Sequence, residues 1–168
     1  FAEEFSKVSG KFLFCENEQL FIKNLKLLLQ TNDWGIPFCK EDKLIQYLEK
    51  GNIAYTNKES DFKNMQCGIT TCEFLVSRLG SIMVSSRQMC GRRMFVFPPV
   101  HIVVAYTAQL VPDIKDALEA MKNKYGNKLP SLISLITGPS RTADIEKTLV
   151  MGAHGPKEIY LFLIDYTI

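Results

Sequence analysis

The sequence lacks most of the motifs that identify a function directly. It contains no G-x-G-x-x-G, no G-x-x-x-x-G-K-[ST], no G-x-S-x-G and no H-E-x-x-H pattern. The sequence therefore gives no support for a dinucleotide-binding site, a P-loop, the nucleophile turn of an α/β-hydrolase or the zinc site of a metalloprotease. Its five cysteines form no C-x-x-C pair and it has only two histidines, so no zinc or iron–sulfur spacing is present. We predict that this chain holds no metal and no other cofactor.

Long apolar runs and a surplus of one charge are also missing. The longest apolar run, Ile159 to Ile164, is far shorter than the roughly 18 residues of a membrane-spanning helix. Twenty Lys and Arg against 18 Asp and Glu leave a net charge of +2, too little for a dedicated nucleic-acid surface. We therefore predict no membrane span and no nucleic-acid partner.

The cysteine count and the apolar content indicate where the protein works. Five cysteines are an odd number, and a chain that is 46% hydrophobic can form a core without disulfides. A reduced, cytoplasmic setting is therefore expected. The chain begins with Phe1 rather than Met, and we expect the N-terminus of the full protein to be missing.

Short apolar runs alternate with amphipathic stretches along the 168 residues. Strands are predicted at 11–15, 52–56, 81–85, 94–97, 100–106, 132–136 and 159–164, with a possible short one at 36–39. Helices are predicted at 18–30, 41–50, 70–79, 112–126 and 142–150. Runs that are apolar on both faces are typical of a parallel sheet covered on both sides. We predict one α/β domain over residues 1–168, with three α/β/α layers and a mostly parallel sheet.

The predicted ligand site follows the apolar run that ends at Ile136, because ligands bind beyond the carboxyl ends of strands in open α/β sheets. Gly138 lets the backbone approach a ligand, and the guanidinium of Arg141 suits a carboxylate or phosphate. A helix from Thr142 would point unpaired N–H groups at an anion, although the same pattern is typical of an ordinary N-cap. The candidate ligand-binding residues are Thr70, Gly80, Thr137, Gly138, Ser140, Arg141, Thr142, Asp144, Gly152 and Gly155.

The candidate catalytic residues are Glu73, His101 and His154. His101 opens an apolar strand and His154 lies in a loop of glycines and proline, and each also fits a structural role. A helix at 142–150 would separate Ser140 from His154 by roughly 12–15 Å, which disfavours a triad of Ser140, Asp144 and His154.

Four segments resemble the LUD (lactate utilization) domain family. They are GITTCEF at 68–74, FPPVHI at 97–102, GPSRTADIE at 138–146 and GAHGP at 152–156. The resemblance implies an α/β/α fold similar to that of sugar-phosphate isomerases, glucosamine-phosphate deaminases and CoA-transferases. It also implies a cytoplasmic system that oxidises L-lactate to pyruvate, with iron–sulfur clusters on a partner protein. In two places the chain departs from many relatives: Glu73 replaces an aspartate, and Ser77–Leu79 replaces Ala-Asp-Thr or Ala-Glu-Thr.

Three functions remain open at this point. The first is a non-catalytic or co-catalytic subunit for L-lactate oxidation, which binds a small anionic metabolite at 137–142, His154 and Glu73. The second is a stand-alone enzyme for a phosphorylated or CoA-linked small molecule, with Glu73 as nucleophile or acid/base. The third is a ligand-sensing domain whose contact surface is the arginine-rich loop at 85–93. The charges of this loop are equally consistent with an ordinary solvent-exposed loop.

Overall fold

A computed structural model of the chain describes residues 1–145 and 148–165, and for 142–145 and 148–150 it describes the backbone alone. The α-helices are α1 (Ala2–Lys7), α2 (Glu18–Thr31), α3 (Asp42–Lys50) and α4 (Ile114–Tyr125). The strands are β1 (Lys11–Cys15), β2 (Cys67–Thr71), β3 (Phe74–Val76), β4 (Ser81–Ser85), β5 (Val100–Tyr106), β6 (Leu110–Val111), β7 (Ile133–Ile136), β8 (Arg141–Ile145), β9 (Thr148–Met151) and β10 (Glu158–Ile164). Short 3-10 helices occupy Glu59–Asn64, Ser77–Leu79, Arg92–Phe95 and Thr107–Gln109. Within these described ranges, no helix is long and apolar enough to cross a membrane.

The central sheet contains four parallel strands in the order β1-β10-β5-β2. In β5, Val100 pairs with Glu158 on one side and with Cys67 on the other. Successive residues of β5 are buried on opposite faces, which explains why the strand is apolar at almost every position. The predicted α/β fold with a mostly parallel sheet flanked by helices is confirmed.

The two faces of this sheet are covered differently. On one face, Ile102 and Val104 pack in the same cluster as Phe21 of α2 and Leu48 of α3. On the other, Val103 packs with residues of a second, mixed sheet that has the strand order β6-β3-β4-β7. The far face of the second sheet packs against α4. No pattern in the sequence indicated this second sheet between the central sheet and α4.

The helix predicted at 70–79 is wrong. Ile69, Thr70 and Thr71 belong to β2, and the segment continues into β3 and a 3-10 turn. The pattern Thr70-x-x-Glu73 matches a capping box, but β-branched residues fit a pleated sheet well. Here β5 pairs with β2, and β4 pairs with β3.

The helix predicted at 142–150 is also wrong. The chain forms an antiparallel hairpin of β8 and β9, in which Arg141 lies opposite Met151 and Thr142 lies opposite Val150. Four of the nine residues between 142 and 150 are β-branched, which favours strand over helix. The helix N-terminus that was expected to face an anion is therefore absent from this turn.

The other elements follow the sequence more closely. The predicted strands at 11–15, 81–85 and 100–106 have the expected bounds, and α2, α3 and α4 lie within a few residues of their predicted positions. The predicted extended segments at 36–39 and 52–56 contribute only isolated bridges from Phe38 to Thr56 and Gly68. The strand predicted at 94–97 is wrong, since the segment overlaps the 3-10 helix Arg92–Phe95.

Two glycines allow α1 to pack closely against the end of the second sheet. Gly80 has a φ of +58°, and a Cβ atom there would overlap the backbone of Glu4 and Phe5. A Cβ atom at Gly138 would overlap the carbonyl oxygen of Val8. Gly80 and Gly138 were both predicted to bind ligand, and in this fold they permit close contact between backbones.

We expect Gly80→Ala to lower the free energy of unfolding by about 2–4 kcal/mol, because it combines a left-handed backbone with overlap against α1. Gly35→Ala is the matched control, since Gly35 has a φ of +66° but open space around it. The control should lose only about 1–2 kcal/mol. Urea unfolding of the two variants measures the difference, and equal losses would contradict the packing role of Gly80.

Candidate functional site

The hairpin of β8 and β9 brings the loop after it back onto Ser140. The Ser140 amide donates to the Pro156 carbonyl over 2.8 Å, and the Gly152 amide donates to the Ser140 carbonyl over 2.9 Å. The His154 amide donates to Ser140 Oγ over 3.3 Å. The predicted separation of 12–15 Å between Ser140 and His154 is wrong, because it assumed an intervening helix. The contact nevertheless uses the backbone of His154 and not its imidazole, so it does not form a catalytic dyad.

Arg141 extends this group of polar residues toward the end of α1. Its guanidinium is exposed, and Nη2 donates to Ser9 Oγ over 2.7 Å. Because the Ser9 hydroxyl is neutral, this hydrogen bond does not compensate the positive charge of the guanidinium. Nearby in the chain, the hydroxyls of Thr137 and Ser81 share a hydrogen bond of 2.8 Å. We call Ser9, Thr137, Ser140, Arg141 and His154 the hairpin-base cluster.

Glycines set the tight turns in this cluster. Gly152 has a φ of +79°, a left-handed conformation that favours glycine. A Cβ atom at Gly155 would lie 3.2 Å from that of Ser140. The side chains of Thr142 and Asp144, which were also predicted to bind ligand, lie outside the described residues.

The hairpin-base cluster does not lie at the carboxyl edge of the parallel sheet. The loop at 152–156 leads directly into the start of β10. There the Lys157 amide donates to the carbonyl of Pro99, the residue before β5, so this loop lies at the amino edge of the sheet. The expected carboxyl-edge position rested on β7 being a strand of the parallel sheet. In fact β7 is antiparallel to β4 in the second sheet, so its carboxyl end lies elsewhere.

The carboxyl edge carries polar residues that sequence reasoning did not identify. Buried Glu41 accepts hydrogen bonds from the amide and the hydroxyl of Thr71 at the end of β2. Tyr47 donates to Glu18 over 2.5 Å and contacts the hydroxyl of Tyr106 at 2.9 Å. Acids such as Glu18 and Glu41 are usual at helix starts, and only the fold brings them beside the ends of the strands.

Glu73 is buried in a separate place, between the second sheet and α4. Its Oε1 accepts from Ser85 (2.5 Å) and Tyr125 (2.8 Å), and its Oε2 accepts from Lys124 (2.7 Å). Burial opposes ionisation, but the hydrogen bonds from Lys124, Ser85 and Tyr125 outweigh it and hold the pKa of Glu73 below its usual value. Glu73 is 2% exposed, and both of its carboxylate oxygens accept hydrogen bonds. We therefore assign it a structural role, in which it holds α4 against the second sheet.

His101 and Thr70 form another buried pair, within the central sheet. His101 Nε2 lies 2.8 Å from Thr70 Oγ1, and the Thr70 hydroxyl donates to the Thr71 carbonyl. The hydroxyl has a single proton, which it donates to the Thr71 carbonyl, so it must accept a hydrogen bond from His101. We therefore assign the proton of the imidazole to Nε2. Within residues 1–145 and 148–165, Nδ1 has no hydrogen-bond partner. Complete burial lowers the pKa of His101 to about 4, which keeps the imidazole neutral.

The sequence departure at Ser77–Leu79 has a local structural role. Arg78 forms a two-pronged ion pair with Asp113, at 2.8 Å for each contact. Asp113 is also the N-cap of α4, where Oδ1 accepts from the Ile114 amide. The charge of Arg78 is therefore directed at the start of α4.

The fold and these polar groups define a class of α/β protein with a parallel central sheet, a mixed second sheet and the GPSR and GAHGP turns in contact. A sequence profile of the LUD domain family matches residues 1–164. The chain belongs to the LUD domain family.

Comparisons with individual proteins agree with this membership. Lactate utilization protein C of Bacillus subtilis is 33% identical over 170 residues, covering 97% of this chain and 67% of that protein. Its namesake in Halalkalibacterium halodurans is 35% identical and covers 79% of this chain and 61% of that protein. An uncharacterized protein of Neisseria meningitidis is 36% identical over 66% of this chain and 44% of that protein. The chain thus spans about half to two thirds of the length of these relatives.

A solved structure supports the fold. The crystal structure of a DUF162 family protein from Deinococcus radiodurans has a TM-score of 0.67 and covers 96% of this chain and 94% of that one. The two sequences are 16% identical, so this similarity concerns the fold alone.

We expect His101 to make the stability of the protein depend on pH. Its pKa is about 4 in the folded chain against 6.5 for an ordinary histidine, so only the unfolded chain binds this proton between those values. Stability is therefore lost as the pH falls from about 6.5 toward 4, by roughly 3 kcal/mol in all. His101→Gln should remove this contribution, as measured by urea unfolding across the pH range.

The other histidine provides the control. His154 is exposed, and His154→Gln should keep the slope of the wild type. Imidazole proton resonances give a second readout that does not depend on how well the His101 variant folds. A resonance assigned to His101 that titrates near pH 6.5 would contradict the buried, neutral state.

Proposed function

We propose that this chain takes part in lactate utilization, as a component of a cytoplasmic system that oxidises L-lactate to pyruvate. The observation that carries the proposal is the 33% identity to lactate utilization protein C of Bacillus subtilis over 97% of this chain. A match over 97% of this chain extends over 138–141 and 152–156, which build most of the hairpin-base cluster. Because the chain spans 67% of that protein, the proposal concerns a component and not the whole activity.

Within this system, we infer that the hairpin-base cluster binds a small carboxylate such as lactate or pyruvate. The Arg141 guanidinium is exposed and can pair with a carboxylate through two parallel hydrogen bonds. Ser140 Oγ accepts from the His154 amide, which leaves the hydroxyl proton for the 2-hydroxyl or 2-keto oxygen of the ligand. A single guanidinium matches the single charge of a monocarboxylate.

The proposal assigns iron–sulfur clusters to a partner protein, as the family resemblance implies. The thiol chemistry of this chain supports that division of roles. All five cysteines are buried free thiols, and burial raises the pKa of Cys39 to about 12. A cluster needs several thiolates at one place, and the described residues hold no group of three or more His, Cys, Asp or Glu that could bind a metal ion.

A role for Glu73 as a nucleophile receives less support. A nucleophilic carboxylate must present an oxygen to its substrate, whereas both oxygens of Glu73 are engaged by Ser85, Lys124 and Tyr125. We therefore favour a binding or co-catalytic component over a stand-alone enzyme that uses this residue.

Thermal unfolding with and without pyruvate or L-lactate tests the proposed ligand site. At 100 times the dissociation constant, a ligand stabilises the protein by about 2.7 kcal/mol, which is a rise of about 5–10 °C in Tm for a domain of this size. We expect Arg141→Gln to abolish the rise, because the carboxylate loses its cationic partner.

Arg93→Gln is the matched control, since Arg93 is an exposed arginine that forms an ion pair with Glu59. It should keep the rise seen in the wild type. An equal rise in Arg141→Gln, or no rise in the wild type with either acid, would contradict a preformed carboxylate site at the hairpin-base cluster.

A further inference from the structure

A second cationic pocket lies at the opposite end of the β4–β7 strand pair. It has a volume of about 280 Å³ and is lined by Ser86, Arg87, Arg92, Leu129 and Ser131. This volume is close to the lower end of the range, about 300–1,000 Å³, that is usual for small-molecule sites. Because β4 is five residues long at about 3.3 Å per residue, the pocket lies roughly 13–17 Å from the Ser81 end of the strand.

Hydrogen bonds fix the walls of this arginine pocket. Arg87 Nη2 donates to the Lys128 carbonyl over 2.9 Å, and Arg92 Nη2 donates to Ser131 Oγ. Ser86 and Ser131 share a hydroxyl–hydroxyl contact of 3.2 Å. The Ser86 amide donates to the Leu132 carbonyl over 3.0 Å, which continues the β4–β7 ladder to the rim of the pocket.

The charge of the pocket is uncompensated. Across the described part of the chain, neither Arg87 nor Arg92 forms an ion pair, and the oxygens that accept their hydrogen bonds are neutral. Arg93, in the same loop, differs because it pairs with Glu59 and lies 4.2 Å from the centre of the Phe62 ring. Two like charges that line one pocket repel each other, and an anion held between them removes that repulsion.

The buried carboxylate that is linked to Arg87 through Ser85 does not neutralise the pocket. Ser85 Oγ accepts from the Arg87 amide and donates to Glu73. Glu73, however, is already ion-paired with Lys124 at 2.7 Å. The two guanidinium groups therefore remain as the cationic walls of the pocket.

We propose that the arginine pocket binds a phosphoryl group, either as free phosphate or as part of a small phosphorylated metabolite. A phosphoryl group carries about 1.5 to 2 negative charges near neutral pH, and its tetrahedral oxygens match two guanidinium forks and two hydroxyls. A monocarboxylate would satisfy only one of the forks. The volume beyond one phosphate and the exposed Leu129 side chain provide room for a small organic group.

Isothermal titration with inorganic phosphate, glycerol phosphate and acetate tests the proposal. We expect saturable binding of the two phosphates, with acetate at least tenfold weaker. Arg87→Gln and Arg92→Gln should each weaken phosphate binding by roughly tenfold or more, since each removes a charge-assisted hydrogen bond. Arg93→Gln should stay within about twofold of the wild type. Tighter binding of glycerol phosphate would identify a metabolite as the ligand, and equal binding would identify phosphate itself.

Three outcomes would overturn the proposal: no saturable phosphate binding, acetate binding as strong as that of phosphate, or the same loss in Arg93→Gln as in the pocket variants. Thermal unfolding of each variant checks that the losses do not come from misfolding, and Arg87→Lys separates charge from the planar fork, since it should recover only part of the affinity. The inference is independent of lactate binding, because the Arg141 variant leaves this pocket intact.

Discussion

Both faces of the four-stranded parallel sheet are buried, and this requirement determines where the remaining elements lie. Helices α2 and α3 cover one face, while the second sheet and α1 cover the other. The second sheet must in turn bury its own outer face, which it does against Ala117 and Met121 of α4. Positions 80 and 138 require glycine, because the chain of α1 and Val8 approaches the end of this second sheet closely.

Glu73 and His101, two buried ionisable residues of the family segments, are stabilised to different degrees. Glu73 has a cation and two hydroxyl donors, so burial and ionisation are compatible, and the carboxylate fixes α4 to β4. Among the described residues, the His101 imidazole has one hydrogen-bond partner, the Thr70 hydroxyl, and burial is compatible only with its neutral form. Residues that looked catalytic in the sequence thus lie in three separate places: Glu73 beside α4, His101 within the central sheet, and His154 at the hairpin-base cluster.

Sequence patterns predicted the elements whose signals are local. The strand at 100–106 and the helix that starts after Asp113 could be located because apolar periodicity and capping residues mark them within the chain itself. The segments at 70–79 and 142–150 mix helix-start signals with β-branched residues, and strand pairing decided them: β2 pairs with β5 and β3 with β4 in the first segment, and β8 pairs with β9 in the second. The contact between Ser140 and the 152–156 loop could not be located, because it depends on the hairpin that replaced the predicted helix.

Net charge is a poor guide to the local charge of a surface in this protein, because the fold decides which arginines are paired. A net charge of +2 gives little reason to expect a cationic site. Arg78 and Arg93 are indeed neutralised by Asp113 and Glu59, which lie 35 and 34 residues away in the chain. Arg87 and Arg92 face neutral acceptors at the end of the β4–β7 ladder instead. The β4–β7 ladder holds these two positive charges at one rim of the arginine pocket. They create a positive local potential that the net charge of the whole chain does not reveal.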